Sequence, residues 1–417
     1  MSKARAPFTL YQRKPDGPYW VRFSLKGAGQ IRKALDTTDP TQAHHAAMLV
    51  WAEAKARSEN GLTVKKHTVR SVVEAWCQQL DAEAARGDIK PKLAAQYQGI
   101  ATRYIAGFWD QQPIDTINEV AINRFQEWRY AYWSTGPGKN IEFVTYPRDG
   151  RQMRRWITAS QRTKPSNSTL GTEAVVLRTF LKYAKRNGLI KDIPDIETRK
   201  AGKPNARPSF SSDELGRLLE LSLQRLAERN LHPAIRRDRL ILHSWMCILA
   251  YSGMRPTEAR KLNWGDVIGY EATRSQPIGQ RDIQLRVFGK GKSRTFPPKH
   301  AVIPWFDQLW DLFKRDLGRQ PNPTDPVFCG EDGKRLYSVK HGFNDLLDLA
   351  GLKTDYRGIR RTAYSFRHFF ISQQLIHNVT IFDLAQMCGT GTEMINKFYA
   401  DVSIAAIKDK LRPEWTS

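Results

Sequence analysis

Two arginines, a pair of turn lysines and a tyrosine near the carboxyl end have surroundings suited to chemistry on an anion. An apolar run, LILHSWMCILAYS, leads into Gly253-Met254-Arg255-Pro256-Thr257-Glu258, where glycine permits a tight turn and Pro256 suits the first turn of the next helix. Arg255 is thus expected at a helix entrance, where a guanidinium and outward-pointing N–H groups together can hold a phosphate or another oxyanion. Taken alone, an arginine at a helix start is more often a surface ion-pair partner. The strand-like segments IQLRVF and RTFPPK follow, joined through Gly289-Lys290-Gly291-Lys292-Ser293, which places both lysines at the tip of a β-hairpin. Such a hairpin can push an ammonium into a DNA groove to protonate a leaving 5′ oxygen, although most hairpin lysines are simply solvated. Further on, Tyr364-Ser365-Phe366-Arg367-His368 precedes the apolar FFISQQLI and brings a second arginine to a helix entrance. In FDLAQMCGTGTEMINKFYADV a turn at Gly389–Gly391 divides two short helical segments, with Tyr399 near the end of the second.

The elements that must position these residues are mostly helical. Residues 8–35 hold three short β-type segments separated by Pro15-Asp16-Gly17-Pro18 and Gly27-Ala28-Gly29, and a helix follows from Pro40, capped by Thr38 or Asp39. This predicts a strand-rich module over 1–62 whose basic face, Arg22 and Lys33 included, suits groove or phosphate contact and equally suits plain solvation. Residues 66–197 place apolar side chains at i, i+3, i+4 spacing and predict a helical domain. A Gly-, Pro- and Arg-rich stretch at 136–168 interrupts it as a surface loop or hairpin. There Arg148, Arg151, Arg154, Arg155 and Lys164 stand among Tyr146 and Trp156, a mixture suited to a phosphate backbone or to solubility alone. Residues 198–208, including Lys203, lack periodicity and read as an exposed basic linker. A third domain, 209–417, opens on a helix for which Ser211 and Glu214 have capping-box spacing, with Phe210 as the staple. The expected fold class is mainly α with small β-sheets, an α+β arrangement.

Composition narrows the partners. Across 417 residues, Lys plus Arg number 66 against 42 for Asp plus Glu, a formal charge of +24, which points to a polyanion. Charge alone does not separate DNA from RNA or from an acidic membrane surface. With 41% apolar and 11% aromatic residues, the basic charge belongs to a folded body rather than a disordered tail. The four cysteines, Cys77, Cys247, Cys329 and Cys388, stand far apart without a CxxC pair, so neither a zinc site nor a disulfide framework is expected, and a reducing cytoplasm fits. No apolar run is long enough to span a bilayer, and the basic start lacks a signal peptide's apolar stretch.

In order, these motifs resemble the tyrosine recombinases, or phage integrases. SGMRPTEARKLNWGDV is similar to the family's first arginine motif and carries that role to Arg255, with Glu258 and Asp266 as supports. FGKGKSRTFP resembles the hairpin of the family lysine, with the register favouring Lys290 and Lys292 as second choice; Lys292 and Arg294 are also expected against DNA. YSFRHFF resembles the His-x-x-Arg box and assigns the second arginine to Arg367, and KFYADV places the nucleophile at Tyr399. Tyr364 and Thr390 stand where the family usually has imidazole or indole, and are expected to orient the phosphate. Neither supplies a base at neutral pH. His368 is weighed as a buried histidine supporting the arginines.

The resemblance implies site-specific cleavage and rejoining of duplex DNA through a 3′-phosphotyrosyl link, to integrate or excise a mobile element. The ester retains the energy of the broken bond, so no cofactor, ATP or metal is expected. It further implies a monomer in free solution, a homotetramer on two synapsed sites, DNA-bending accessory proteins, and residence in the bacterial cytoplasm at the nucleoid. Two other readings stay open: a catalytically impaired DNA-binding member of the same fold, and a relaxing enzyme of the type IB topoisomerase kind.

Overall fold

The computed structural model describes residues 6–26, 29–148, 151–198, 208–289 and 291–407, the side chains of 147, 148 and 400–407 excepted. The chain divides into two compact units, residues 1–204 and 205–417.

The first unit opens with an antiparallel sheet, β1 (Thr9–Gln12), β2 (Tyr19–Leu25) and β3 (Gly29–Ala34), in that order. Val21 and Phe23 alternate inward from β2 and pack on Ala47 and Ala54 of α1 (Pro40–Glu59), which Asp39 caps by accepting from Gln42 N at 2.7 Å. A separate, larger core holds α2 (Val69–Arg86), α3 (Pro91–Ile100), α4 (Ala106–Trp109), α5 (Glu119–Ala131) and α6 (Asn167–Arg186). Trp76, Trp109, Phe125 and Phe180 are its large members. The sheet module is tied to this helical body by the buried Arg57, which pairs with Asp115, and by Thr63 N donating to Gly188 O at 2.8 Å. The basic stretch between α5 and α6 forms a hairpin, β4 (Phe143–Arg148) and β5 (Arg151–Trp156), in which Arg148 faces Arg151 and Thr145 faces Arg154.

The second unit is built around α8 (Pro233–Ser252), whose Met246, Ile248, Leu249 and Ala250 are almost wholly buried. Packed about it are α7 (Ser212–Ala227), α9 (Pro256–Ala259), α10 (Tyr270–Thr273), α11 (Ile303–Leu317), α12 (Lys340–Leu349) and α13 (Tyr364–Ile376). The antiparallel sheet β6 (Val267–Ile268), β7 (Gln284–Gly289) and β8 (Lys292–Phe296) covers one side. A smaller cluster, with Phe370, Leu375, Leu384, Cys388, Ile395 and Tyr399, joins α13 to α14 (Ile381–Cys388) and α15 (Thr392–Ile407).

Two local expectations change. α13 begins at Tyr364, so Arg367 lies in its first turn rather than ahead of it; Ser365 Oγ accepts from Thr362 N at 3.2 Å and starts the helix early. Lys292 pairs with Gly289 as the first residue of β8, which removes it from the hairpin tip. No helix among the described residues is long and apolar enough to cross a membrane.

Candidate functional site

The capping box at the start of α7 forms as spaced: Ser211 Oγ accepts from Glu214 N, and Glu214 accepts from Ser211 N. The same Glu214 carboxylate takes two bonds from Arg361, at 2.7 and 2.6 Å, and Arg361 also donates to Ser209 O and Thr354 O. This holds in place the segment that leads into α13.

Gly253 closes α8 with φ +65°, and an added Cβ there would collide with the Phe370 ring of α13. The chain thus turns tightly against α13, and Arg255 emerges as the N-cap of α9. Arg255 N and Nη1 both donate to Glu258, at 2.9 and 2.6 Å, while Nη2 donates to Gly389 O. Arg367, almost fully buried, donates to Gly253 O at 2.9 Å and to Cys388 O at 2.7 Å. The two guanidiniums therefore meet successive carbonyls of one turn, the turn that connects α14 to α15.

Arg294 belongs to the same cluster. Expected on the DNA-facing surface, it is turned inward: Nη1 and Nη2 bond Glu258 at 2.9 and 2.7 Å, and Nε bonds Met387 O at 2.8 Å. The cause is Glu258, whose two buried carboxylate oxygens accept more hydrogen bonds than Arg255 alone supplies. Burial pushes that carboxyl upward, but the bonds and charge of Arg294 and Arg255 prevail and bring its pKa to about 2. Desolvation lowers the pKa of the Arg367 guanidinium, and the positive charges of Arg255 and Arg294 act in the same direction. Set against Glu258, three guanidiniums leave a net positive cluster in a low-dielectric surround, a strong preference for an anion.

Glu258→Gln is expected to lower stability at neutral pH by about 3 kcal/mol, because two guanidiniums then share a site without their counter-charge. Since the folded carboxyl titrates below its ordinary value of 4.5, its contribution is complete above that pH and is lost as pH falls toward about 2. Thermal melts of both forms at pH 7 and pH 3 check this. The gap between them should narrow in acid, and an equal gap at both would contradict the assignment.

Tyr399 lies within α15 rather than near its end, and its hydroxyl is hydrogen-bonded to Nδ1 of His368. The two rings are nearly parallel, planes 29° apart and centroids 5.5 Å apart. His368, weighed from sequence as a support for the arginines, instead contacts the tyrosine. Tyr364, half-buried, stands one turn back on α13 with its ring 6.4 Å from His368. Thr390, also half-buried, sits in the α14–α15 turn with its N–H on Ala385 O. Asp266 accepts from Arg286 at 3.2 Å and from Asn263 N at 3.1 Å, supporting the α9–β6 connection.

Of the remaining expected residues, Lys290 and Lys203 lie outside the described residues, and Lys292 is exposed. In the first unit Arg22 and Lys33 are exposed on β2 and β3. Arg151, Arg154 and Arg155 are exposed along β5, Arg148 ends β4, and Lys164 lies 5.3 Å from the Tyr130 ring centroid. Among the described residues no group of His, Cys, Asp and Glu has the makings of a metal site.

No family model matches the chain. The tyrosine recombinase XerC of Rickettsia canadensis (strain McKiel) is 24% identical over 264 residues, covering 61% of this chain and 76% of its own length. A lambda integrase dimer bound to a COC′ core site superposes with a TM-score of 0.54 at 16% identity, over 100% of this chain and 99% of that one. XerH recombinase in a post-cleavage complex with a palindromic difH substrate gives 0.52 at 15% identity, over 80% and 84%. The fold is that of the tyrosine recombinases. In sequence, as in the order of its motifs, the chain is similar to the tyrosine recombinases and integrases.

Proposed function

We propose that this chain is a site-specific DNA recombinase that cleaves and rejoins duplex DNA through a 3′-phosphotyrosyl intermediate and so integrates or excises a mobile element. One observation carries the reading: Arg255 and Arg367 bond adjacent carbonyls, Gly389 and Cys388, of the turn that delivers the helix of Tyr399. Each guanidinium has more N–H donors than these bonds use, so both can also hold the non-bridging oxygens of a phosphate. Tyr399 then attacks in line, and the hairpin lysine, Lys290 by register, protonates the departing 5′ oxygen. Tyr364 and Thr390 offer hydroxyls to the same phosphate. Arg22 and Lys33 of the sheet module, the β4–β5 hairpin with Arg148, Arg151, Arg154, Arg155 and Lys164, and Lys203 and Lys292 track the backbone. They are part of the basic excess of the chain, 66 Lys and Arg against 42 Asp and Glu. Exchange of strands needs the 5′-hydroxyl of a second duplex, which the family resemblance satisfies with four protomers on two sites.

The test is covalent capture from a pool of nicked duplexes with a randomised centre, in which a cleaved strand diffuses away and leaves a denaturant-resistant adduct. Recovery of one sequence class supports the reading. Binding without an adduct would favour an impaired DNA-binding member of the fold, and sequence-independent relaxation of supercoiled DNA a topoisomerase-like enzyme. For the leaving group, Lys290→Ala is expected to slow cleavage by roughly 10²–10⁴-fold and to recover on a duplex with a 5′-bridging sulfur, which departs without a proton. Recovery of Lys292→Ala instead would move the role two residues along the hairpin.

A further inference from the structure

The chemistry just proposed leaves one proton without a destination. A phenol ionises near pH ~10, so at neutral pH only about one Tyr399 in a thousand would be phenolate without help, and attack on phosphorus must transfer its proton somewhere. Tyr364 and Thr390 carry hydroxyls that are themselves very weak bases.

We propose that His368 is the general base that activates Tyr399. Its Nδ1 is hydrogen-bonded to the Tyr399 hydroxyl, and the pair lies buried in the small core that joins α13, α14 and α15. His368 directly follows Arg367, so one helical turn carries both a phosphate-holding guanidinium and the acceptor of the nucleophile's proton. The groups that face this region are Tyr364 on the same helix, Tyr399 on α15 and, around the adjoining Arg367, Arg255, Arg294, Glu258 and Cys388 from α9, β8 and α14. In the forward step the Tyr399 O–H bond breaks as N–H forms at Nδ1. The Tyr399 oxygen bonds to phosphorus, the bond from phosphorus to O5′ breaks, and O5′ takes a proton from the hairpin lysine. Attack by a 5′-hydroxyl reverses each transfer, and the imidazolium returns its proton to the departing phenol. This inference rests on the strand-transfer reading and adds to it the residue that makes the tyrosine a nucleophile near neutral pH.

A purely structural His368, holding Tyr399 in place by one hydrogen bond, makes a different prediction. Asparagine offers a carbonyl acceptor close to the position of Nδ1 but almost no basicity, so His368→Asn would rescue a positioning role and not a basic one. The experiment is single-turnover cleavage of a captured nicked duplex by the full-length wild type, His368→Asn and His368→Ala from pH 5.5 to 9.5. Duplex affinity and thermal melting are measured beside it. Both variants are expected to cleave about 10²–10⁴-fold more slowly at pH 7 with affinity within threefold of wild type. Their rates should rise tenfold per pH unit through the range in which the wild type is level, and free imidazole should restore part of the His368→Ala rate. Cleavage by His368→Asn within threefold of wild type, or variants that keep the wild-type pH profile, would overturn the assignment of the base and leave strand transfer standing. Failure of the wild type to form an adduct at any pH would overturn both.

Discussion

Tyr399→Phe is expected to bind duplex DNA within about threefold of wild type and to form no covalent adduct on any nicked substrate. The change removes one oxygen from a buried ring and leaves its packing against Leu384, Cys388 and Ile395 in place. The change breaks the bond to His368, worth roughly 1 kcal/mol for a neutral pair, too little to unfold the unit. What is lost in chemistry is the only atom through which the proposed ester can form. The measurement is gel separation of a labelled nicked duplex after denaturation, beside a binding isotherm at fixed salt. An adduct surviving in the phenylalanine variant would place the nucleophile elsewhere.

The second large effect is expected at Arg367. Arg367→Ala should reduce cleavage by about 10³-fold or more, since it removes preorganised donors from the phosphate in a water-poor site. Duplex affinity should change far less, because the proposed backbone contacts are spread over many other basic residues. The structural cost is also larger than at Tyr399: Gly253 O and Cys388 O lose buried donors, worth about 3 kcal/mol together. Arg367→Lys therefore serves as the second variant. An ammonium on a shorter reach cannot span two carbonyls and a phosphate as a planar fork does, so lysine should restore part of the melting temperature and little of the rate. Equal loss of binding and cleavage, at a common salt concentration and with the fold intact, would argue that Arg367 only anchors DNA.

The roles expected of these two residues and of Arg255 came from the family resemblance, but the junctions around them are ones that short-range rules describe. Gly253 ends α8, Pro256 starts α9, and Arg255 falls between them. Gly389 ends α14 in the left-handed conformation, with φ +60°, ahead of the helix that carries Tyr399. The capping box at Ser211, the three N-terminal strands and the β4–β5 hairpin, the last expected as a loop or a hairpin, follow from the same kind of rule, in which the partners lie within a few residues of one another.

Arg294 and His368 were not readable in that way. Arg294 has the composition of a surface strand residue, and only the burial of Glu258, 36 positions earlier, makes it an internal cation. His368 looks like any histidine on an apolar helix until α15 folds back and sets Tyr399, 31 positions later, against its Nδ1. The order of motifs, the basic charge and the local elements were thus determined by the chain itself, since neighbouring residues decide them. Which guanidinium faces which carbonyl, and which imidazole faces the phenol, was decided by tertiary packing. Buried donors and charges must find partners wherever the fold brings them, and those partners are distant in sequence.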